Sequence, residues 1–351
     1  MPFLPHYFLV FSQNRLEQEC PFLIQSQLSP WSAEAWSDEL DDGLTMRKLI
    51  LTCRRSLKTV ALVHWGANDV DAVCIDWQNH SEDLWRLTLM KFEGMTDLVT
   101  GASGGLGEEF ARQFAVQGAN LVLTARSEDK LNRLAEALRK EAKVHVTVLS
   151  ADLSSTESVD RLIAEVRRRN LKIDLLVNNA GLGRFENFLD TGLQPQMRQV
   201  DVNVRALVAL THAFAPGMVE ARRGGVINLA STAAFQPLAG ASVYAATKAF
   251  VLLFSEGLAL ELEKSNVNVT VACPGPVATQ FYADMNPKLQ ARQMDQPGPV
   301  TAEILRAFER GKRVVYPGKL TVRLSTWGAR LMPRNMILRV AAGTVKKLNQ
   351  K

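Results

Sequence analysis

From residue 97 onward, apolar runs of strand length alternate with stretches whose apolar residues recur at helical spacing. The pattern predicts a strand at Asp97–Thr100 and a helix at Gly107–Gln117, with Phe110, Ala111 and Phe114 on one face. A strand at Asn120–Thr124 follows, then a helix at Glu128–Ala142 carrying Leu131, Leu134 and Leu138 in one stripe. Further strands are expected at Val144–Leu149, Ile173–Val177, Val226–Ala230 and Val267–Ala272. Helices are expected between them at Ser155–Arg168, Val202–Phe214 and Val243–Leu262. The Ile173–Val177 run carries apolar residues toward both faces, as a strand covered on both sides does. Parallel neighbours need crossover connections, so this alternation predicts an α/β fold: a doubly wound parallel sheet of Rossmann type.

The first 94 residues show no such alternation. Leu44–Trp65 has room for one helix or a strand pair, and no repeat or motif stands out. Five of the six Trp lie before residue 95, which marks a compositional break near Gly94–Met95. Three readings stay open for 1–94: a small accessory domain, a poorly ordered extension, or an upstream stretch of an over-extended reading frame that starts at Met95. The expected organisation is thus 1–94 as an N-terminal extension, 95–309 as the Rossmann-type domain and 310–351 as a basic tail.

Charge sharpens the picture of that tail. The chain carries 41 Lys and Arg against 36 Asp and Glu, a balance of +5. Residues 310–351 hold eleven of the basic residues and no acidic one, so 1–309 is net negative. Trp327, Leu331, Met332, Ile337 and Leu338 interleave with Arg323, Arg330, Arg334 and Arg339, and Pro333 splits the segment. A basic amphipathic segment suits an anionic membrane surface, and it equally suits a helix packed on the catalytic domain. No recognition motif points to nucleic acid. An apolar content of 47% excludes a wholly disordered chain. No stretch approaches the roughly 20 uninterrupted apolar residues of a spanning helix. Met1–Phe11 lacks a basic lead, so a cytoplasmic protein is expected, with peripheral membrane contact through the tail open. A homo-oligomer is also expected. Cys20, Cys53, Cys74 and Cys273 and the five His are too scattered for a metal pattern, and no metal is expected.

The first strand runs into Thr100-Gly101-Ala102-Ser103-Gly104-Gly105-Leu106-Gly107, and a helix follows. Glycines allow close backbone approach, and a helix N-terminus offers free N–H groups to a pyrophosphate. The spacing of Gly101, Gly105 and Gly107 differs from G-x-G-x-x-G, so its place between first strand and first helix carries the argument for a dinucleotide. The second strand ends Thr124-Ala125-Arg126. Ala125 offers no carboxylate to a ribose hydroxyl, and Arg126 suits a 2′-phosphate, so NADP(H) is favoured over NAD(H). Asp152 and Leu153, after the third strand, are placed to cover the adenine edge.

Tyr244 and Lys248 stand four apart at the start of the long helix and share a face. A phenol of ordinary pKa near 10 is a poor base near neutrality, and a buried ammonium beside it stabilises the phenolate. Ser231 follows the strand Val226–Ala230, at the strand end where α/β sites gather. Asn203 is a polar residue inside an apolar helix, either a satisfied core amide or part of a relay.

Together these residues resemble the short-chain dehydrogenase/reductase family, in its shorter single-domain branch. The resemblance covers 95–351 and rests on Thr100–Gly107, Asp152, Asn178-Asn179-Ala180-Gly181, Asn203, Ser231, Tyr244, Lys248 and Pro274-Gly275. It implies about seven parallel strands. It implies that Asn178, Ala180 and Gly181 border the cofactor, and that Pro274, Gly275 and Thr279 line the nicotinamide carboxamide. It further implies that Tyr244 is the general acid in reduction and the base in oxidation. Lys248 then lowers the Tyr244 pKa and binds the nicotinamide ribose, and both border the cofactor. Ser231 holds the substrate oxygen, and Asn203 positions a water joining Lys248 to solvent.

The activity so implied is interconversion of a carbonyl and a secondary alcohol. Phe235, Phe281, Tyr282 and Met285 are candidates for an apolar pocket, which points to a hydrophobic or acyl-type substrate, and Phe281–Val300 reads as a mobile loop over the site. Two other functions compete: a non-catalytic dinucleotide sensor or scaffold, and a sugar-nucleotide epimerase. The Ser231–Tyr244–Lys248 set argues against the first, and the glycine spacing with no large C-terminal substrate domain against the second.

Overall fold

The structure is a computed structural model. It describes the backbone of 31–39, 45–53, 59–65 and 70–76, then residues 92–285 and 294–319, with Thr326, Met336 and Ile337. Most of the segment read as an amphipathic tail lies outside the described residues. The chain divides into two units, Met1–Leu89 and Met90–Lys351.

The first unit holds a four-stranded antiparallel meander: β1 (Trp31–Glu39), β2 (Thr45–Cys53), β3 (Thr59–Trp65) and β4 (Val70–Asp76). Of the two options for Leu44–Trp65, the strand pair is the one formed, with Arg47 opposite Trp65 and Thr52 opposite Val60.

In the second unit seven strands run β11-β10-β9-β8-β5-β6-β7, and every neighbouring pair is parallel. The strands are β5 (Thr96–Thr100), β6 (Asn120–Thr124), β7 (Val146–Val148), β8 (Leu175–Asn178), β9 (Gly225–Leu229), β10 (Asn268–Ala272) and β11 (Val314–Val315). This is the Rossmann-type α/β fold. The order reverses between β5 and β8, which leaves a crevice beyond their C-terminal ends, where doubly wound sheets bind ligands. The last strand lies past residue 309, so part of the segment read as a tail completes the sheet.

Helices cover both faces. On one side lie α1 (Gly105–Val116), α2 (Glu128–Ala142) and α8 (Pro297–Glu309), which bury Phe110, Phe114, Leu131 and Ile304 against Val99, Leu121 and Val177. On the other lie α3 (Thr156–Arg168) and α5 (Leu207–Ala221), whose Val159, Leu162, Leu210 and Phe214 meet Leu98, Leu176 and Val226. Each large side chain so buried contributes roughly 1.5–3 kcal/mol. Ser155 caps α3 by accepting from the Ser158 amide at 3.1 Å.

Three departures from the sequence reading have local causes. The helix expected at Val202–Phe214 is the middle of a longer run: α4 (Leu193–Val200), a π-helical turn at Asp201–Ala206, and α5. In α4 the buried positions are Gln196 and Gln199 while Leu193 and Met197 are exposed, so no apolar period marks this helix. The expected loop Phe281–Val300 is helical at both ends, in α7 (Gln280–Met285) and in α8, where Pro297 takes the first helical position that suits proline. Finally, the core of this unit begins before Met95. Phe92 is buried and meets Phe114 edge to face, with ring centres 5.1 Å apart.

Candidate active site

The first turn after β5 packs as tightly as glycine allows. Gly101 has φ +67°, and a Cβ there would sit 2.9 Å from the Asn179 amide nitrogen and 3.0 Å from the Ala180 Cα. Gly105 has φ +60° and lies under the Thr279 methyl. The two glycines thus let β8 and the 274–279 loop close on the N-terminus of α1. Asn179 fastens the joint: its side chain donates to the Thr100 carbonyl at 2.8 Å, and its backbone N–H to the Thr100 hydroxyl at 2.9 Å.

A cleft of about 690 Å³ opens beside this turn. It is lined by Gly101, Ser103, Gly105 and Leu106, by Arg126, Asp152 and Leu153, by Ala180 and Gly181, by Ser231, Tyr244 and Lys248, and by Pro274, Gly275 and Thr279. Three residues singled out from the sequence stand behind the wall instead. Gly107 supports the turn from the first turn of α1. Asn178 faces away and donates to Asn228 at 2.9 Å and Thr211 at 3.1 Å, within a buried chain that ends on Ser255. Asn203 is buried in the π-helical turn. Of the aromatic candidates, Phe281 and Tyr282 reach the cleft, whereas Phe235 packs on Tyr316 at 5.7 Å and the Met285 side chain lies outside the described residues.

At the adenosine end, Arg126 is exposed, and the cleft wall continues through Ser127 and Lys130, which the sequence reading passed over. Lys130 lies in the first turn of α2, a position set by the helix and not by any motif. Asp152 is pushed up by its partial burial, but the Ser154 hydrogen bonds and the nearby Arg198 and Arg126 hold it below the usual carboxylate range.

The catalytic end is dry. Ser231, Tyr244 and Lys248 are each at least 95% buried. The Ser231 hydroxyl accepts from the Ala233 amide at 3.2 Å at the head of a 3-10 turn. Ser231, Tyr244 and Tyr282 line the same end of the cleft, and the Tyr282 hydroxyl lies 3.5 Å from the Gly275 carbonyl. Lys248 Nζ donates to the Leu229 carbonyl at 2.6 Å and lies 5.9 Å from the centre of the Tyr244 ring. Burial depresses Lys248 to about 8, with Cys273 opposing that shift. Burial also raises Tyr244 above the ordinary phenol value.

The side chain of Asn203 is spent locally. It accepts from the Leu182 amide and donates to the Leu182 carbonyl, both at 2.8 Å, and donates to the Thr247 hydroxyl at 2.9 Å. The π turn rotates it out of the helical register, and it ties the Gly181–Leu182 wall to α6 (Ser242–Leu262) beside Lys248. Such turns recur at functional sites.

A family model for short chain dehydrogenase matches residues 96–290. The chain belongs to the short-chain dehydrogenase/reductase family and is an oxidoreductase acting on alcohols or carbonyls. It is 38% identical over 186 residues to sulfoacetaldehyde reductase 2 of Chromohalobacter salexigens, which covers 52% of this chain and 73% of the relative. A short-chain dehydrogenase from Sphingobium yanoikuyae in complex with NADPH has a similar structure. Its TM-score is 0.61 at 33% identity, over 67% of this chain and 93% of that one. So does a bulky-bulky ketone specific alcohol dehydrogenase from Comamonas testosteroni. There the TM-score is 0.58 at 30% identity, over 68% and 95%.

Proposed function

We propose that this protein reduces a hydrophobic ketone, or oxidises the matching secondary alcohol, with NADP(H) as its cofactor. The observation that carries the reading is the gathering of buried Ser231, Tyr244 and Lys248 on the wall of one cleft, with a glycine turn on the same wall.

The cleft fits a dinucleotide. Gly101 and Gly105 line it and hold the turn in its tight form, and the α1 N-terminus offers unpaired N–H groups to a pyrophosphate. Arg126 and Lys130 would face the adenosine 2′-phosphate, Asp152 and Leu153 the adenine, and Lys248 the nicotinamide ribose. Thr279 and Gly275 would meet the carboxamide. When bound, the nicotinamide supplies or accepts the hydride.

This chain's own residues handle the oxygen and its proton. Ser231 donates to the substrate oxygen and fixes its position. Tyr244 donates its hydroxyl proton to the oxygen as negative charge develops there during reduction, and takes it back in oxidation. The phenolate left behind needs a nearby cation, and Lys248 is the only one that lines this end of the cleft among the described residues. Ala233, Ala241 and Tyr244 form an apolar cluster with Phe185, Leu238, Phe281 and Tyr282, which favours a bulky apolar substituent over a charged one. The likeness to a bulky-ketone enzyme and to an NADPH complex supports both halves of the reading.

A panel of aryl ketones, alkyl ketones and small polar aldehydes, each followed by cofactor absorbance with NADPH and with NADH, tests it. The expected result is turnover of the bulky ketones with NADPH. Turnover confined to charged or small aldehydes contradicts the substrate class, and equal use of NADH contradicts the cofactor.

A further inference from the structure

Asp295 stands just before α8, and its backbone meets the 274–279 loop in a short parallel bridge to Val277. Its N–H donates to the Pro276 carbonyl at 3.0 Å, and its carbonyl accepts from the Ala278 N–H at 2.8 Å. Gly275 and Thr279, on either side of that bridge, line the cleft. The Asp295 side chain turns to a third piece of chain, the bend at Gly318–Lys319 that follows β11. One carboxylate oxygen accepts from the Lys319 N–H at 3.4 Å, and the other forms an ion pair with Lys319 Nζ at 3.8 Å. Gly318 makes room for this: its φ is +100°, and a Cβ there would overlap the carboxylate. The Gly318 N–H in turn donates to Glu303 of α8 at 3.0 Å. The Asp295 side chain is only 11% exposed and Lys319 is half-exposed, so the close fit at Gly318 matters more than the ion pair.

We propose that Asp295 is a positioning residue for the nicotinamide end of the cleft: its carboxylate, clasped at Gly318–Lys319, fixes the backbone to which the 274–279 loop is tied. This rests on the reading that NADP(H) lies in the cleft with its carboxamide at Gly275 and Thr279. The loop is held at two places, where Thr279 packs on Gly105 and where Pro276 and Ala278 bond to Asp295. Without the carboxylate, the Asp295 backbone keeps its two bonds to the loop and loses its tie to the bend after β11, so bridge and loop shift together. The effect is confined by the sheet order. The loop follows β10 and the clasp follows β11, at one edge, whereas Arg126 and Asp152 follow β6 and β7, at the opposite edge. Asp295 therefore governs how the nicotinamide half of the cofactor is bound and leaves the adenosine half alone.

Two ligands separate the ends of the cleft without turnover: NADPH, and adenosine 2′,5′-bisphosphate, which keeps the adenosine and lacks the nicotinamide. Their dissociation constants are measured by isothermal titration for the full-length parent, Asp295→Ala and Gly318→Ala. Asp295→Ala should weaken NADPH by about three- to tenfold, the magnitude of one neutral hydrogen bond lost at the nicotinamide, and leave the bisphosphate within about twofold of the parent. Gly318→Ala, whose methyl drives the bend off the carboxylate, should show the same split. A general loss of stability does not produce that split, because it acts on both ligands alike. If one variant fails to fold, the other decides by the same pair of constants. Unchanged NADPH affinity in both variants overturns the proposal, and so does a parallel loss of both ligands in both, which would make the clasp a general support of the fold. A parent that binds neither ligand refutes the dinucleotide reading itself, and the proposal falls with it; a parent that binds both leaves that reading standing whatever Asp295 does.

Discussion

The ammonium of Lys248 donates to the carbonyl of Leu229 at 2.6 Å, at the C-terminal end of β9, so the cation is anchored to the sheet itself. Burial lowers its pKa to about 8, against 10.5 for the unperturbed group. A base depressed in the folded state binds fewer protons than the unfolded chain between those values. Its cost to stability is therefore full below pH 8 and falls away as the pH rises toward 10.5. Lys248→Met should raise the thermal midpoint at pH 7 by a few degrees, less the loss of one hydrogen bond, while turnover is lost. The gain should shrink in scans between pH 8 and pH 10.

Asp97 presents the opposite sign. It is fully buried in β5, and neither carboxylate oxygen has a hydrogen-bond partner. Burial, with Asp174 nearby, raises its pKa well above the ordinary value. The native state thus holds a proton that the unfolded chain loses near pH 4, and stability declines as the pH rises through that window and beyond. Asp97→Val, a residue suited to a covered strand, should raise the thermal midpoint at pH 7.5 and lose that advantage as the pH falls toward 4. A lower midpoint at pH 7.5 would show that the carboxylate has a stabilising partner.

Phe92 fixes where the catalytic unit must begin. A fragment from Met90 keeps the Phe92–Phe114 contact, and a fragment from Met95 deletes it. Burial of a Phe in such a core is worth about 3–5 kcal/mol against truncation. We propose that 1–89 is dispensable to this unit. The Met90 fragment should then match the full chain in thermal midpoint and NADPH affinity, and the Met95 fragment should melt well below both. Equal behaviour of the two fragments would remove Phe92 from the core, and failure of both would make the first unit part of the fold.

What could be read in advance follows from how local each signal is. Asn120–Thr124 and Glu128–Ala142 have the limits expected of them, because a polar residue marks each start and the apolar period is unbroken. The glycine turn, Ser231, Tyr244 and Lys248 are local motifs or lie beside strand ends, and all line one cleft. Three features were not legible because they depend on partners distant in the chain. The amide of Asn203 is fixed by Leu182, 21 residues away. Asn178 turns inward because Asn228 waits on the next strand. Tyr282 joins Ser231 on the cleft wall only after the 274–279 loop has closed over Gly105.

Cofactor preference should respond to Arg126 and Lys130. Only the phosphorylated dinucleotide has a 2′-phosphate, and a charge-assisted contact contributes about 1.5–3 kcal/mol, or roughly 10- to 150-fold. Arg126→Ala should weaken NADPH by that factor with little change in NADH, and Lys130→Ala should act in the same direction with a smaller effect. Fluorescence titration of both cofactors measures this. Equal losses for NADPH and NADH would place Arg126 elsewhere.

The account stands or falls on the proton carried by Tyr244. Tyr244→Phe keeps the ring, the apolar cluster and the glycine turn, and removes only the hydroxyl. The direct measurement is kcat for a ketone turned over by the parent, taken alongside the NADPH dissociation constant of the same preparation. General acid catalysis contributes about 100- to 10,000-fold. The account predicts that kcat falls by at least that lower factor while NADPH affinity stays within about threefold. A kcat within tenfold of the parent, with NADPH still bound, would contradict it.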